Sequence, residues 1–235
     1  MRLFLLLVLL WSVPSSLLPA LQDTHKPQPS VPELTPAELI RQGKFSEARV
    51  LLDSLLKDNP GSSDLLYQLG VVDLAEKKYK DAEDTFQRAY ELNPANLRIL
   101  MGIVETNMAQ NKTDEALKIL QAESDEAPSR LDLLLAIGNT AVRAGRLDFA
   151  IQTFNKLLEQ VDKGDKQGDI YLRLGENYRR KGDSTAAIQA LQKAREILPD
   201  NFVVLNTLAL VLDHSGRKPE AEQVYEAVRR RKRWK

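Results

Sequence analysis

Few side chains in these 235 residues could carry out a reaction. With no cysteine, a thiol nucleophile, a disulfide framework and a thiolate zinc site are all excluded. The histidines are His25 and His214, too few for a multi-histidine metal centre. His25 stands in a proline-dense stretch, and His214 precedes Ser215-Gly216 without a partner set for acid–base work. Asp162, Asp165 and Asp169 form the one loop cluster of carboxylates. They alternate with Lys163 and Lys166 and lack calcium-loop spacing, so they read as a solvated loop. No glycine-rich phosphate loop, HExxH or GxSxG occurs in the chain. The expectation is a non-enzyme, without metal or cofactor.

Side chains that bind rather than react are more promising. Lys and Arg total 33 against 33 Asp and Glu, so the surface as a whole gives no attraction for nucleic acid. The charge is nonetheless uneven. Arg229, Arg230, Arg231, Lys232, Arg233 and Lys235 crowd the C-terminus around Trp234 and leave the rest net acidic. Such a tail can meet anionic lipid headgroups, a polyanionic polysaccharide or an acidic partner. The plainer reading is a solvated last helical turn, where cations suit the negative end of the helix dipole. Asn111-Lys112-Thr113 is a glycosylation sequon, which matters only in a eukaryotic secretory host. Its place in a turn already accounts for the asparagine.

The elements that position these groups repeat. Pro60, Pro94 and Pro128 stand 34 apart, and Ala48, Ala82, Ala116, Ala150, Ala187 and Ala221 keep that period with one step of 37. Gly43, Lys77, Asn111, Gly145, Gly182 and Gly216 form a third column, five residues ahead of each alanine. Within residues 63–96, Leu66, Leu69, Leu74, Ala82, Phe86, Ala89 and Leu92 recur at spacings of three and four, which marks two amphipathic helices. The third column falls at the turn between them, and each proline stops the second helix. Gly70, Gly138 and Gly175 leave room for close helix contact, as does the alanine column. The units are a partial one at 37–62, then 63–96, 97–130, 131–167, 168–201 and 202–235. The extra three residues fall in 160–168, which is expected to be a longer loop between units.

Ahead of the repeats, Met1-Arg2 and the apolar run over residues 3–11 read as a secretory signal peptide ending near residue 20. Ala20 and Ser15 are the candidate cleavage positions. The run is shorter than the ~20 residues a membrane span needs, and an uncleaved anchor over residues 3–21 is the alternative. Residues 21–36 carry Pro27, Pro29, Pro32 and Pro36 and read as a semi-rigid tether. Export to a periplasmic or extracellular space is the expectation, with a membrane-anchored form as the alternative.

The 34-residue helix–turn–helix unit resembles the tetratricopeptide repeat family. Leu66-x-x-Leu69-Gly70 with Ala82-x-x-x-Phe86 and Pro94 carries the likeness, as do Leu134-x-x-Ile137-Gly138 with Ala150-x-x-x-Phe154 and Tyr171-x-x-Leu174-Gly175-x-x-Tyr178 with Ala187. Unit 97–130 departs from the pattern, with Val104 in place of glycine and Glu123 in place of a small residue. The resemblance implies an all-α, right-handed solenoid of eleven or twelve helices whose first helices line a concave groove that holds a peptide or partner helix. It places Tyr67, Val71, Leu74, Met101, Glu105 and Met108 in that groove. Leu135, Asn139, Val142, Arg143, Leu172, Glu176, Arg179 and Arg180 continue it, and Asn206, Leu210, Asp213 and His214 close it. Some of the apolar residues could instead pack helix on helix, and the arginines could pair with Glu105 or Glu176. Tyr67, Met101, Leu135 and Leu172 occupy the positions where a carboxylate-clamping lysine would stand, so that clamp is absent. The implied role is a protein-binding scaffold or adaptor; an envelope or secretion assembly factor held by an uncleaved N-terminal helix is the alternative.

Overall fold

Six helical hairpins follow one another along the chain. They are α1 (Pro36–Arg41) with α2 (Phe45–Asp58), α3 (Ser63–Ala75) with α4 (Tyr79–Leu92), and α5 (Leu97–Ala109) with α6 (Thr113–Glu126). Then come α7 (Leu131–Arg143) with α8 (Leu147–Gln160), α9 (Asp165–Lys181) with α10 (Ser184–Ile197), and α11 (Phe202–His214) with α12 (Lys218–Lys232). This is a computed structural model, and it describes residues 34–232, with side chains through 229. The leader, nearly all of the tether and the tail side chains of Arg230, Arg231, Lys232, Arg233 and Lys235 lie outside the described residues. Pro36 belongs not to the tether but to the first turn of α1, where its missing N–H costs nothing. Residues 36–232 form one unit, an all-α solenoid in which each helix packs on the next.

Local sequence sets the helix boundaries. Ser62, Asn96, Asp183 and Asn201 accept hydrogen bonds from backbone N–H groups in the first turns of α3, α5, α10 and α11. Asn111 and Lys77 hold the turns inside their hairpins at φ of 61° and 60°. Gly43, Gly145, Gly182 and Gly216 adopt the same left-handed conformation in the other hairpins. One turn geometry thus serves all six, although only four carry the residue that adopts it without strain.

The three extra residues are not in a loop. Between α8 and α9 only residues 161–164 are non-helical, matching the four-residue links at 59–62, 93–96, 127–130 and 198–201. The insertion extends the start of α9 by three residues, and with Lys181 added at its end the helix has 17 residues against 13 in α3, α5, α7 and α11. Asp165, Lys166 and Gln167 keep helical continuity, and the missing proline removes the stop signal.

The columns of small residues lie where packing is tightest. Ala48, Ala82, Ala116, Ala150 and Ala187 are fully buried, and Ala221 nearly so. A Cβ added at Gly70 would stand 2.7 Å from the Phe86 ring, and one at Gly102 would stand 2.5 Å from the same ring. Phe86 therefore lies between two backbones rather than against one. Gly138 makes the same room for Phe154, and Gly175 for Leu191. Glu123, out of place in the repeat pattern, accepts a hydrogen bond from the Tyr90 hydroxyl. Burial and this contact push the phenol up to about 12.

The first hairpin is tied on by charge. Arg49 of α2 donates to buried Asp73 and to Glu76, each at 2.7 Å, and Thr85 donates to the second Asp73 oxygen. Lys78 also pairs with Glu76, and Lys78 and Arg49 together hold that carboxyl below its usual range.

Candidate functional site

One face of the solenoid is carried by the first helices of the hairpins, and polar rungs cross its seams. The Arg98 guanidinium of α5 lies 4.6 Å from the centre of the Tyr67 ring of α3. Arg143 of α7 makes two hydrogen bonds to the Glu105 carboxylate of α5, and the pairing raises the guanidinium's affinity for its proton. Arg173 of α9 donates to Asn139 Oδ1 of α7 at 2.9 Å. In every case the later helix supplies the arginine and the earlier helix the acceptor.

Between the first two rungs lies an apolar recess. It has a volume of 320 Å³ and is lined by Tyr67, Val71, Leu74, Leu97 and Met101, with Phe86 as its floor. The Tyr67 and Phe86 rings are tilted at 50° with centroids 5.8 Å apart, which fixes the wall against the floor. A second recess of 280 Å³ opens at the start of α7 and α9, around Leu135, Leu157 and Ile170. The remaining residues of the expected groove divide by role. Met108 packs against the central core, and Leu172 packs against the last hairpin. Glu176 is half-buried, and Arg179 and Arg180 are exposed at the end of α9 with no ion partner among the described residues. His214 bonds the Leu210 carbonyl of its own helix. Among the described residues no group of acidic and histidine side chains is placed to hold a metal ion, and no helix is long and apolar enough to cross a membrane.

Tetratricopeptide repeat profiles match residues 38–96, 73–129, 129–200 and 178–233, which together span the whole stack. The chain belongs to the tetratricopeptide repeat family. Solved structures agree on the fold. A tetratricopeptide repeat protein from Parabacteroides merdae superposes with a TM-score of 0.59 at 18% identity, over 82% of this chain and 75% of that one. The C-terminal part of a repeat-containing protein from Cytophaga hutchinsonii gives 0.59 at 19% identity, over 81% and 75%. A thermophilic tetratricopeptide repeat protein of Thermus thermophilus gives 0.51 at 22% identity, over 75% and 95%. No curated protein sequence matches the chain.

As a tetratricopeptide repeat protein, the chain has two features that the family pattern does not announce. Arg98 and Arg173 close the seams although neither stands among the groove positions carried over from the family. Arg98 could have been found, because it lies three residues before Met101 and so extends the same stripe. Arg173 gives no such signal, since it joins Asn139 only through the packing of α9 on α7. The second feature is a cleft of 560 Å³ on the opposite, second-helix side, floored by Tyr171, Leu174 and Tyr178. It exists because α10 places Ala186 and Ala190 where α8 has Phe149 and Thr153.

Proposed function

We propose that this protein is a non-enzymatic scaffold that holds a peptide or partner helix against its first-helix face, outside the cytoplasm. Members of the family bind protein or peptide partners, and the recess between α3 and α5 is the observation that carries the reading here. Its walls are side chains the fold leaves half-covered: Tyr67, Val71, Leu74 and Met101. Methionine adapts its flexible thioether to an apolar side chain, and tyrosine supplies contact area at low entropic cost. The flanking charges are already spent, Arg98 on Tyr67 and Glu105 on Arg143, so the recess selects for an apolar anchor rather than for an ion pair. Export rests on the leader-like residues 1–20 alone.

The test is a random-peptide display selection on the full-length chain. Selected peptides are expected to share one large apolar residue. Their binding should fall by roughly ten-fold or more with Met101→Arg and with Tyr67→Ala, while the circular-dichroism melt of each variant stays close to the parent. Peptides that bind both variants as well as the parent would move the function off this face.

A further inference from the structure

The cleft on the second-helix side lies away from the α3–α5 recess and is built differently. Its floor is α9, seated between α8 and α10. Tyr171 and Tyr178 both line it, seven residues or about two helical turns apart, which is roughly 10 Å along the helix axis. Neither phenol hydroxyl makes a hydrogen bond among the described residues. The same holds for the side chains of Asn155 on α8 and of Gln189 and Gln192 on α10. Lys193 lies 5.3 Å from the centre of the Tyr171 ring and has no ion partner among the described residues. The cleft therefore combines two rings with a set of uncommitted donors. Glu196 adds a carboxylate, and because α9 and α10 run antiparallel in their hairpin, it stands toward the Tyr171 end.

We propose that this cleft holds the proline-rich segment 26–32 of a second copy of the chain, as a polyproline II strand. Such a strand has no internal hydrogen bonds, so its carbonyls need outside donors, and its prolines bring no N–H of their own. Its three-residue turn rises about 9 Å, close to the spacing of the two rings, and aromatic-lined grooves are the usual seat for it. The sequence supplies the occupant. In Lys26-Pro27-Gln28-Pro29-Ser30-Val31-Pro32, the residues Lys26, Pro29 and Pro32 recur every third position. Pro29 lies against Tyr171 and Pro32 against Tyr178, which brings Lys26 to Glu196. Asn155, Gln189 and Gln192 donate to the strand's carbonyls. The segment lies outside the described residues, and it stays on the chain if the leader is removed near residue 20. This site is separate from the α3–α5 recess and does not depend on its role.

The acceptor in the experiment is the full-length chain carrying Pro29→Ala and Pro32→Ala, whose own segment no longer competes. The probe is a fluorescein-labelled peptide of residues 22–35, followed by anisotropy. Saturable binding is expected. Ala186→Phe in the acceptor fills the cleft and should weaken binding by about ten-fold or more. The fold accepts that ring, because Phe149 occupies the corresponding position of α8, so the thermal melt should stay close to the parent. Replacing both prolines in the peptide should weaken binding as much. Glu196→Lys should weaken it several-fold, and Lys26→Glu in the peptide should restore it. Tyr67→Ala should leave it unchanged. In sedimentation, the parent chain should self-associate and Ala186→Phe should remove the association. Absence of saturable binding overturns the proposal, as does binding indifferent to Ala186→Phe or to the loss of the peptide's prolines. A parent chain that stays monomeric at concentrations where the peptide saturates the acceptor overturns the second copy.

Discussion

Arg143 of α7 holds both carboxylate oxygens of Glu105 of α5, 38 residues earlier in the chain. The pair joins two consecutive repeats, and it withdraws from the groove a cation that the sequence leaves available for an anionic ligand. Among the described residues, Arg179 and Arg180 at the end of α9 make no ion pair. Half exposure of Arg143 keeps the pair modest in energy: a double-mutant cycle with Glu105→Gln and Arg143→Gln should give a coupling of about 0.5–1 kcal/mol. The charge-swapped Glu105→Arg/Arg143→Glu chain should recover most of what either reversal alone loses in urea unfolding.

Phe86 is held between the backbones of α3 and α5. Gly70→Ala and Gly102→Ala each push a methyl group into its ring, and each should cost roughly 1–3 kcal/mol by chemical denaturation. Phe86→Leu shortens the side chain that both methyls meet. In that background the two alanine substitutions should cost much less, whereas equal costs in both backgrounds would mean that the ring is not the obstacle.

The hairpin turns predict a gain. Lys77 adopts φ 60°, where a side chain is strained and glycine is not. Lys77→Gly should therefore stabilise the chain by about 0.5–1 kcal/mol, against the usual cost of introducing glycine. Asn111→Gly should gain less, because asparagine tolerates this conformation. Gly145→Ala, at φ 72°, should lose roughly 1 kcal/mol. Thermal melts of the three variants check the order.

The link between α2 and α3 makes the acid limb of stability sensitive to one arginine. Lys78 and Arg49 lower the Glu76 pKa, so its contribution is present above the unfolded carboxyl value of about 4.3 and is lost as pH falls through the lower folded value. Arg49→Met should flatten this limb below the unfolded carboxyl value. At neutral pH it should cost roughly 1.5–3 kcal/mol, because Asp73 is left buried with only Thr85 as partner. Melting curves across pH for both chains provide the measurement.

Tyr90 sets the alkaline limb. Its phenol titrates near 12 in the fold, so stability is full below the unfolded value of about 10 and declines as pH rises through the folded one. In Tyr90→Phe that decline should be shallower between pH 10 and 12. An identical slope in the two chains would show that the fold does not raise the phenol's pKa.

Much of this architecture is legible in one dimension. Three columns of residues at a common period announce the hairpins, because each hairpin solves the same local problem: end a helix, reverse, start another. The turn column, the closing prolines and the buried alanines all act within about ten residues of where they stand, and in the structure they act there. The fate of the extra residues near position 165 is not legible in this way. Loop and helix differ there only in whether the neighbouring α8 and α10 give an added turn something to lie against.

The sequence by itself determined that this protein is a row of helical hairpins, since periodicity is a local quantity. The tertiary structure decided which polar groups are spent and which remain. Arg143 and Arg179 look alike in the chain, yet one pairs with a carboxylate from the preceding repeat and the other pairs with none among the described residues. Phe86 becomes a floor only because Gly102, absent from the repeat pattern, lets a second backbone close over it. Such outcomes depend on distances between residues 16 positions apart, as for Phe86 and Gly102, or 38 apart, as for Glu105 and Arg143, and the stacking of one hairpin on the next sets those distances.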